Sequence, residues 1–167
     1  VDPGIRGCGL AVFDGGVLVR AAYVPGAAAP SSRAQAAAET VMSVARWVGV
    51  DAVDELVVEW PRIYAARIRS GASPGDPNDL LPLAAVAGGL AVLAAGSVVA
   101  CPSPSEWKGQ MPKNVCHARI WSKLSPEELG VLEAAAERAG AKAHNVVDAV
   151  GIGLHHVGRL STRVLPS

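Results

Sequence analysis

Asp2, Glu59 and Asp148 are the residues of this chain whose type and setting could do chemistry, and each lies at an end of or within an apolar run: Val1-Asp2-Pro3-Gly4, Leu56-Val57-Val58-Glu59-Trp60-Pro61 and Val146-Val147-Asp148-Ala149-Val150. A fold that gathered three carboxylates would have to offset their charge, and divalent cations with oxygen ligands do so most readily. Glu59 stands at the end of a β-branched run, where α/β sheets hold their sites. Asp148 is read in the first turn of a helix, where the positive end of the helix dipole favours an ionised carboxylate. Asn145 and His144, three and four residues earlier, share its face. Taken singly, each has an ordinary alternative: Asp2 a turn residue, Glu59 a strand-end charge, Asn145 an N-cap.

The chain that must position them has 167 residues, half of them hydrophobic, which suits one domain spanning 1–167 with one core. Fifteen basic residues balance fifteen acidic ones, so a nucleic-acid surface would have to come from local clusters. Two such clusters exist: Arg62, Arg67 and Arg69, and Lys108, Lys113, Arg119 and Lys123. The alternative for each is a solvated loop or helix face. Cys8, Cys101 and Cys116 have no CxxC spacing, so reduced thiols in a cytoplasm fit better than a zinc ribbon or disulfides. The apolar stretch from Leu80 to Ala100 is broken by Pro82, Gly88, Gly89 and Gly96 and reads as a buried helix and a strand, with no membrane span expected.

Local signals place the elements. Cys8 to Phe13 reads as a strand, Asp14-Gly15-Gly16 as a tight turn, and Val17 to Val24 as the antiparallel return. Gly4, Gly7 and Gly9 permit close backbone approach to the first strand. Ser32-Arg33-Ala34-Gln35 has the form of a capping box, followed by Val41, Val44, Ala45 and Val48 at helical spacing. Leu56 to Glu59 is expected to be a central parallel strand. The stretch 61–78 is expected to be a long loop, Asp79 to cap a helix over Leu80–Leu93, and Val98 to Cys101 to form a strand. Pro112 should start a basic helix running to about Leu124, Ser125-Pro126-Glu127-Glu128 should open another, and Asn145–Val157 a last one. This order predicts an α/β sandwich with a mixed sheet. Because a strand begun one residue before Asp2 could not hold it, a few apolar residues of the first strand are expected to precede Val1. Trp47 and Trp121 read as core, Trp60 less clearly so; His155 and His156 read as charges at a helix C-terminus, and Cys116-His117 as a helix-surface pair.

Val1-Asp2-Pro3-Gly4, the Gly9 to Phe13 strand with its Asp14-Gly15-Gly16 turn, Val57-Val58-Glu59-x-Pro61 and Val147-Asp148-Ala149-Val150-Gly151-Ile152-Gly153 together resemble the RuvC group of Holliday-junction resolvases, within the ribonuclease H-like superfamily, and its phage-encoded branch most. The resemblance implies a ribonuclease H-like mixed five-stranded sheet flanked by helices. It also implies a homodimer in which each subunit nicks one of two symmetric strands of a four-way junction in DNA recombination and repair. Asp2, Glu59 and Asp148 would then be ligands of two Mg2+ ions, with Mn2+ able to substitute. The fourth ligand position falls on Asn145, a neutral amide that would weaken one ion; His144 is the alternative supplier. Two cations roughly 3.5 to 4 Å apart would clamp the scissile phosphate for in-line attack by water, leaving a 5′ phosphate and a 3′ hydroxyl. Lys108, as a catalytic cation, and Lys113 match basic positions near that active site. Arg62, Arg67 and Arg69 would take phosphates, and Tyr64 would stack on an unpaired base or anchor its loop. The implied location is the cytoplasm, a bacterial host's if the gene is a phage's. Two other readings stand: a junction-binding protein that has lost activity through Asn145, and an actin-like nucleotide-binding phosphotransferase, for which the chain is short.

Overall fold

The computed structural model describes residues 1–49, 53–62, 77–94 and 96–160. Strand β1 (Gly7–Asp14) pairs antiparallel with β2 (Val17–Pro25) through the turn at Gly15 and Gly16, whose φ values of 54° and 83° need glycine or a similarly permissive residue. Helix α1 (Arg33–Val48) starts at Ser32, whose side chain accepts from the Gln35 N–H. Strand β3 (Glu55–Val57) pairs in parallel with β4 (Val98–Ala100), and α2 (Pro77–Leu93) lies between them in sequence. Four helices follow: α3 (Pro104–Trp107), α4 (Lys113–Trp121), α5 (Pro126–Ala139) and α6 (Ala143–His156), the last entered through a 3-10 turn over Gly140–Lys142.

The expected five-stranded ribonuclease H-like sheet is not formed among the described residues, whose strands make two separate two-stranded sheets. Val1 and Asp2 lie between the two sheets and are bonded to both. Asp2 exchanges backbone bonds with Gly9 of β1, at 2.9 and 3.0 Å. The Val1 nitrogen donates to the Val57 carbonyl at 2.6 Å, and the Glu59 N–H donates to the Val1 carbonyl at 3.0 Å. Backbone bonds therefore cross the gap at one point, where a strand would need several in register.

Apolar clusters fill both sides of this gap. One packs Leu18, Trp107, Ile120, Leu132, Val150 and Leu154 between the β1–β2 ribbon and α4, α5 and α6. The other packs Cys8, Leu10, Val44, Val58, Val86 and Leu90 among β1, α1 and α2. Trp121 and Trp47 are partly buried against these clusters, as expected of core residues, while Trp60 is exposed. Several boundaries differ from the expected ones. Helix α2 begins at Pro77, so Asp79 lies inside it, and α4 ends at Trp121. Helix α6 begins two residues before Asn145, which is therefore its third residue and no N-cap. Among the described residues no helix is long and apolar enough to cross a membrane.

Gly9 sets how closely β1 approaches α6. A Cβ there would overlap the Asn145 carbonyl oxygen, a backbone atom with no freedom to swing away. Gly9→Ala is expected to destabilise the fold by about 1–3 kcal/mol, the usual cost of overpacking. Urea unfolding measures it, and an unchanged midpoint would show that β1 and α6 can separate freely.

Candidate active site

The backbone bridge that holds Asp2 to Gly9 also brings it to α6, because Gly9 is the residue pressed against the first turn of that helix. Glu59 reaches the same place from β3: its N–H is bonded to Val1, and the next amide, Trp60, donates to Pro102 at 2.9 Å. Asp148 is the sixth residue of α6, in its second turn and not the first, so the helix dipole supports it less than expected and side-chain partners do more. The three carboxylates thus come from three distant segments, and they lie close enough that the charges of Asp148 and Glu59 act on Asp2 and that of Asp148 acts on Glu59.

Burial pushes the Asp2 carboxyl up from 3.8 to about 7, and the charges of Asp148 and then Glu59 add to the effect. Burial also raises Glu59; a hydrogen bond from Trp107 and the Lys108 charge offset part of this, while Asp148 adds to it. In both, burial is the larger cause and the neighbouring carboxylate charge adds to it.

Four further side chains from α3, α4 and the turn between them hold the carboxylates. Ser103 opens α3 with its backbone N–H bonded to the N3 carboxylate of Glu106 at 2.6 Å, and Pro104 takes the first helical position. This one-turn helix seats Trp107 in the core with its indole N–H donating to Glu59 Oε2. The next residue, Lys108, places Nζ 3.9 Å from the same oxygen. Helix α4 begins after Pro112, so Lys113 and His117 fall one turn apart on one face. Lys113 Nζ is 3.4 Å from Asp148 Oδ2, and His117 Nε2 is 2.9 Å from Asp148 Oδ1.

Of the residues singled out from the sequence, Asp2, Glu59, Asp148, Lys108 and Lys113 are brought together. Asn145 is half-buried one turn before Asp148, whereas His144 is exposed. Arg62 is exposed; together with the stronger Ser103 hydrogen bonds, its charge helps hold Glu106 below the usual carboxylate range. Tyr64, Arg67 and Arg69 lie outside the described residues. His156 does more than end a helix: it pairs with Glu55 of β3 at 2.9 Å.

Trp107 was not singled out from the sequence, and His117, expected with Cys116 as a helix-surface pair, instead bonds Asp148 while Cys116 is buried. For His117 a signal existed, since a cation four residues earlier on a helix that starts at a proline puts both on one face. For Trp107 there was none, because nothing local ties an indole to a carboxylate 48 positions away.

The donor set suits Mg2+ in type, being carboxylate oxygens of acids that burial chiefly, and neighbouring negative charge further, raises at Asp2 and Glu59. The Glu59 and Asp148 side chains are turned toward protein donors, and among the described residues no three His, Cys, Asp or Glu groups form a ready cation shell. Comparisons with protein-family models, with curated proteins and with solved structures found no match to this chain.

Proposed function

We propose that the protein is a Mg2+-dependent endonuclease of branched DNA, acting on four-way junctions in the manner of the RuvC-like resolvases its motifs resemble. The observation that carries this reading is the convergence of Asp2, Glu59 and Asp148 from three segments into one place where burial and mutual charge raise Asp2 to about 7. Acids gathered and raised by burial in this way are what a functional site presents.

In this reading Asp2, Glu59 and Asp148 hold Mg2+, or Mn2+ in its place, with Asn145 beside them as a neutral donor. Ions held there would supply Lewis-acid activation of a water and charge neutralisation at a phosphate ester. Trp107 fixes the Glu59 carboxylate through its indole N–H, and His117 fixes one oxygen of Asp148, so that each carboxylate presents its remaining lone pairs in a set direction. Lys108 and Lys113 flank the site as point charges for the scissile phosphate and its developing negative charge. A pair of subunits would nick two strands symmetrically. Leu81 and Val92, which stand 66% and 74% exposed on the outer face of α2, support a second copy as partner.

Incubating the protein with a synthetic four-way junction and a matched linear duplex, with Mg2+, Mn2+ or EDTA, tests the proposal. Cutting of the junction alone, dependent on metal and abolished by Glu59→Gln with junction binding retained, is the expected result. Tight junction binding with no cutting in either metal would favour a binding protein. Cutting that survives Glu59→Gln would sink the assignment of the site.

A further inference from the structure

At the site end of the strands, Glu59, Asp2, Gly9 and Tyr23 follow one another in a row: the Glu59 N–H bonds to Val1, Asp2 bridges Gly9, and Gly9 pairs with Tyr23 of β2. Residues directly paired across strands face the same side. Asp2 and Tyr23 therefore both lie on the α6 side, where a Cβ on Gly9 would meet Asn145. Two strand spacings, about 10 Å, separate them. The Tyr23 hydroxyl donates to the Arg6 carbonyl at 2.9 Å, and the Gly26 N–H donates to the same oxygen at 3.1 Å. The backbone of Arg6 is thus fixed beside Tyr23 while the residue itself is exposed. Beyond Tyr23 the surface dips into a hollow of about 310 Å³, lined by Tyr23, Ala135, Arg138, Ala139 and Lys142 among others. No acid lines it, and the first turn of α6 carries none. Arg6, Arg138 and Lys142 are exposed, and among the described residues none of them has an ion-pair partner.

We propose that Arg6, Arg138 and Lys142 form a phosphate-contact surface for a DNA arm, on the opposite flank of the carboxylates from Lys108. Lys108 stands beside Glu59, at one end of the row, and these three cations stand at the Tyr23 end. A polyanion crossing the carboxylates meets fixed positive charge on both flanks, which offsets the repulsion it meets between them. Each strand of a duplex rises about 3.4 Å per nucleotide, so 10 Å from Asp2 corresponds to about three nucleotides. Phosphates at that distance or slightly beyond fall at the hollow, where the alanines leave room for the backbone and the cations reach it from Arg138 and Lys142. Such contacts position an arm without reading its bases. The inference rests on the DNA-binding part of the reading above and does not depend on cutting.

Fluorescence anisotropy of a labelled four-way junction, titrated in EDTA between about 50 and 200 mM salt, tests this without any cutting. Each lost phosphate contact flattens the dependence of log binding constant on log salt by about 0.9. Arg138→Gln with Lys142→Gln should lower the slope by about two and weaken binding at least about tenfold, and adding Arg6→Gln should bring the loss of slope to about three. The control pair Arg20→Gln with Arg46→Gln, both beside Trp47, should leave slope and affinity unchanged. All variants should keep the parent's Tm, because the side chains removed are exposed. An unchanged slope in the Arg138 and Lys142 variant of a protein that binds the junction would overturn this proposal alone. Equal losses in the control pair would overturn it too, as a sign of diffuse attraction. Binding that needs these cations in a protein that cuts nothing would uphold it and sink the endonuclease reading, whereas no binding by the parent would overturn both.

Discussion

Asp2→Asn is expected to reduce junction cutting at least about a thousandfold, roughly 4 kcal/mol of transition-state stabilisation, while making the folded chain more stable. The two effects have one cause. Asp2 sits where burial and the Asp148 and Glu59 charges raise its carboxyl to about 7, against 3.8 in an open environment. Between these values the folded chain binds a proton that the unfolded chain has released, so stability falls as pH rises through the window and stays low above it. An asparagine has no such charge to bury. Since Asp2 is only partly shielded from solvent, the gain above pH 7 should be roughly 2 kcal/mol and should vanish below about pH 4. Urea unfolding of both proteins at pH 4, 6 and 8 reads this directly. Mg2+ should narrow the difference by stabilising the native acid. A gap that stays constant across pH would show that neither burial nor neighbouring charge raises the Asp2 carboxyl.

The second large effect concerns the scaffold. Glu128→Ala is expected to cost about 3 kcal/mol, the lower end for removing one partner of a buried ion pair, because Glu128 is buried while Arg159 is only partly so. Glu128 closes the capping box of α5 by accepting from the Ser125 N–H at 2.8 Å, and its chain is almost wholly buried. The same carboxylate accepts from the Leu18 N–H of β2 at 2.7 Å and from both terminal nitrogens of Arg159, at 2.6 and 2.7 Å. Arg159 also bonds the Gly16 and Lys123 carbonyls, tying the chain after α6 to the β1–β2 turn. Alanine would leave the Leu18 N–H and the guanidinium without their acceptor. Chiefly because of the Arg159 bonds, the Glu128 carboxyl is lowered from 4.5 to about 2. Its contribution is therefore complete above pH 4.5 and is lost as pH falls toward 2. Acid unfolding of Glu128→Gln should lack this component, and a variant as acid-sensitive as the parent would count against it.

Signals confined to a few neighbouring residues were legible in advance. The turn at Gly15 and Gly16, the Ser32 cap, the Ser125 box and the close approach at Gly9 are each fixed by geometry within one turn or by the absence of a side chain. The start of α6 was misjudged because Asn145 is a good cap in isolation, yet the 3-10 turn at Gly140 brings the chain into helix earlier. The sheet was misjudged for a different reason. Runs of valine and leucine announce strands, but the number of strands in one sheet depends on which edges meet, and here only Val1 and Asp2 meet both.

The sequence by itself determined the acids, their apolar flanks and the helices and turns near them, because those follow from interactions between residues close along the chain. Tertiary structure alone decided that Asp2, Glu59 and Asp148 share one site, that Trp107 and His117 hold two of them, and that Glu128 belongs to a buried ion pair. It also decided that the edges of β1 and β3 are left facing each other. Such outcomes depend on contacts between residues tens of positions apart, where burial and charge act through space and leave no local pattern to read.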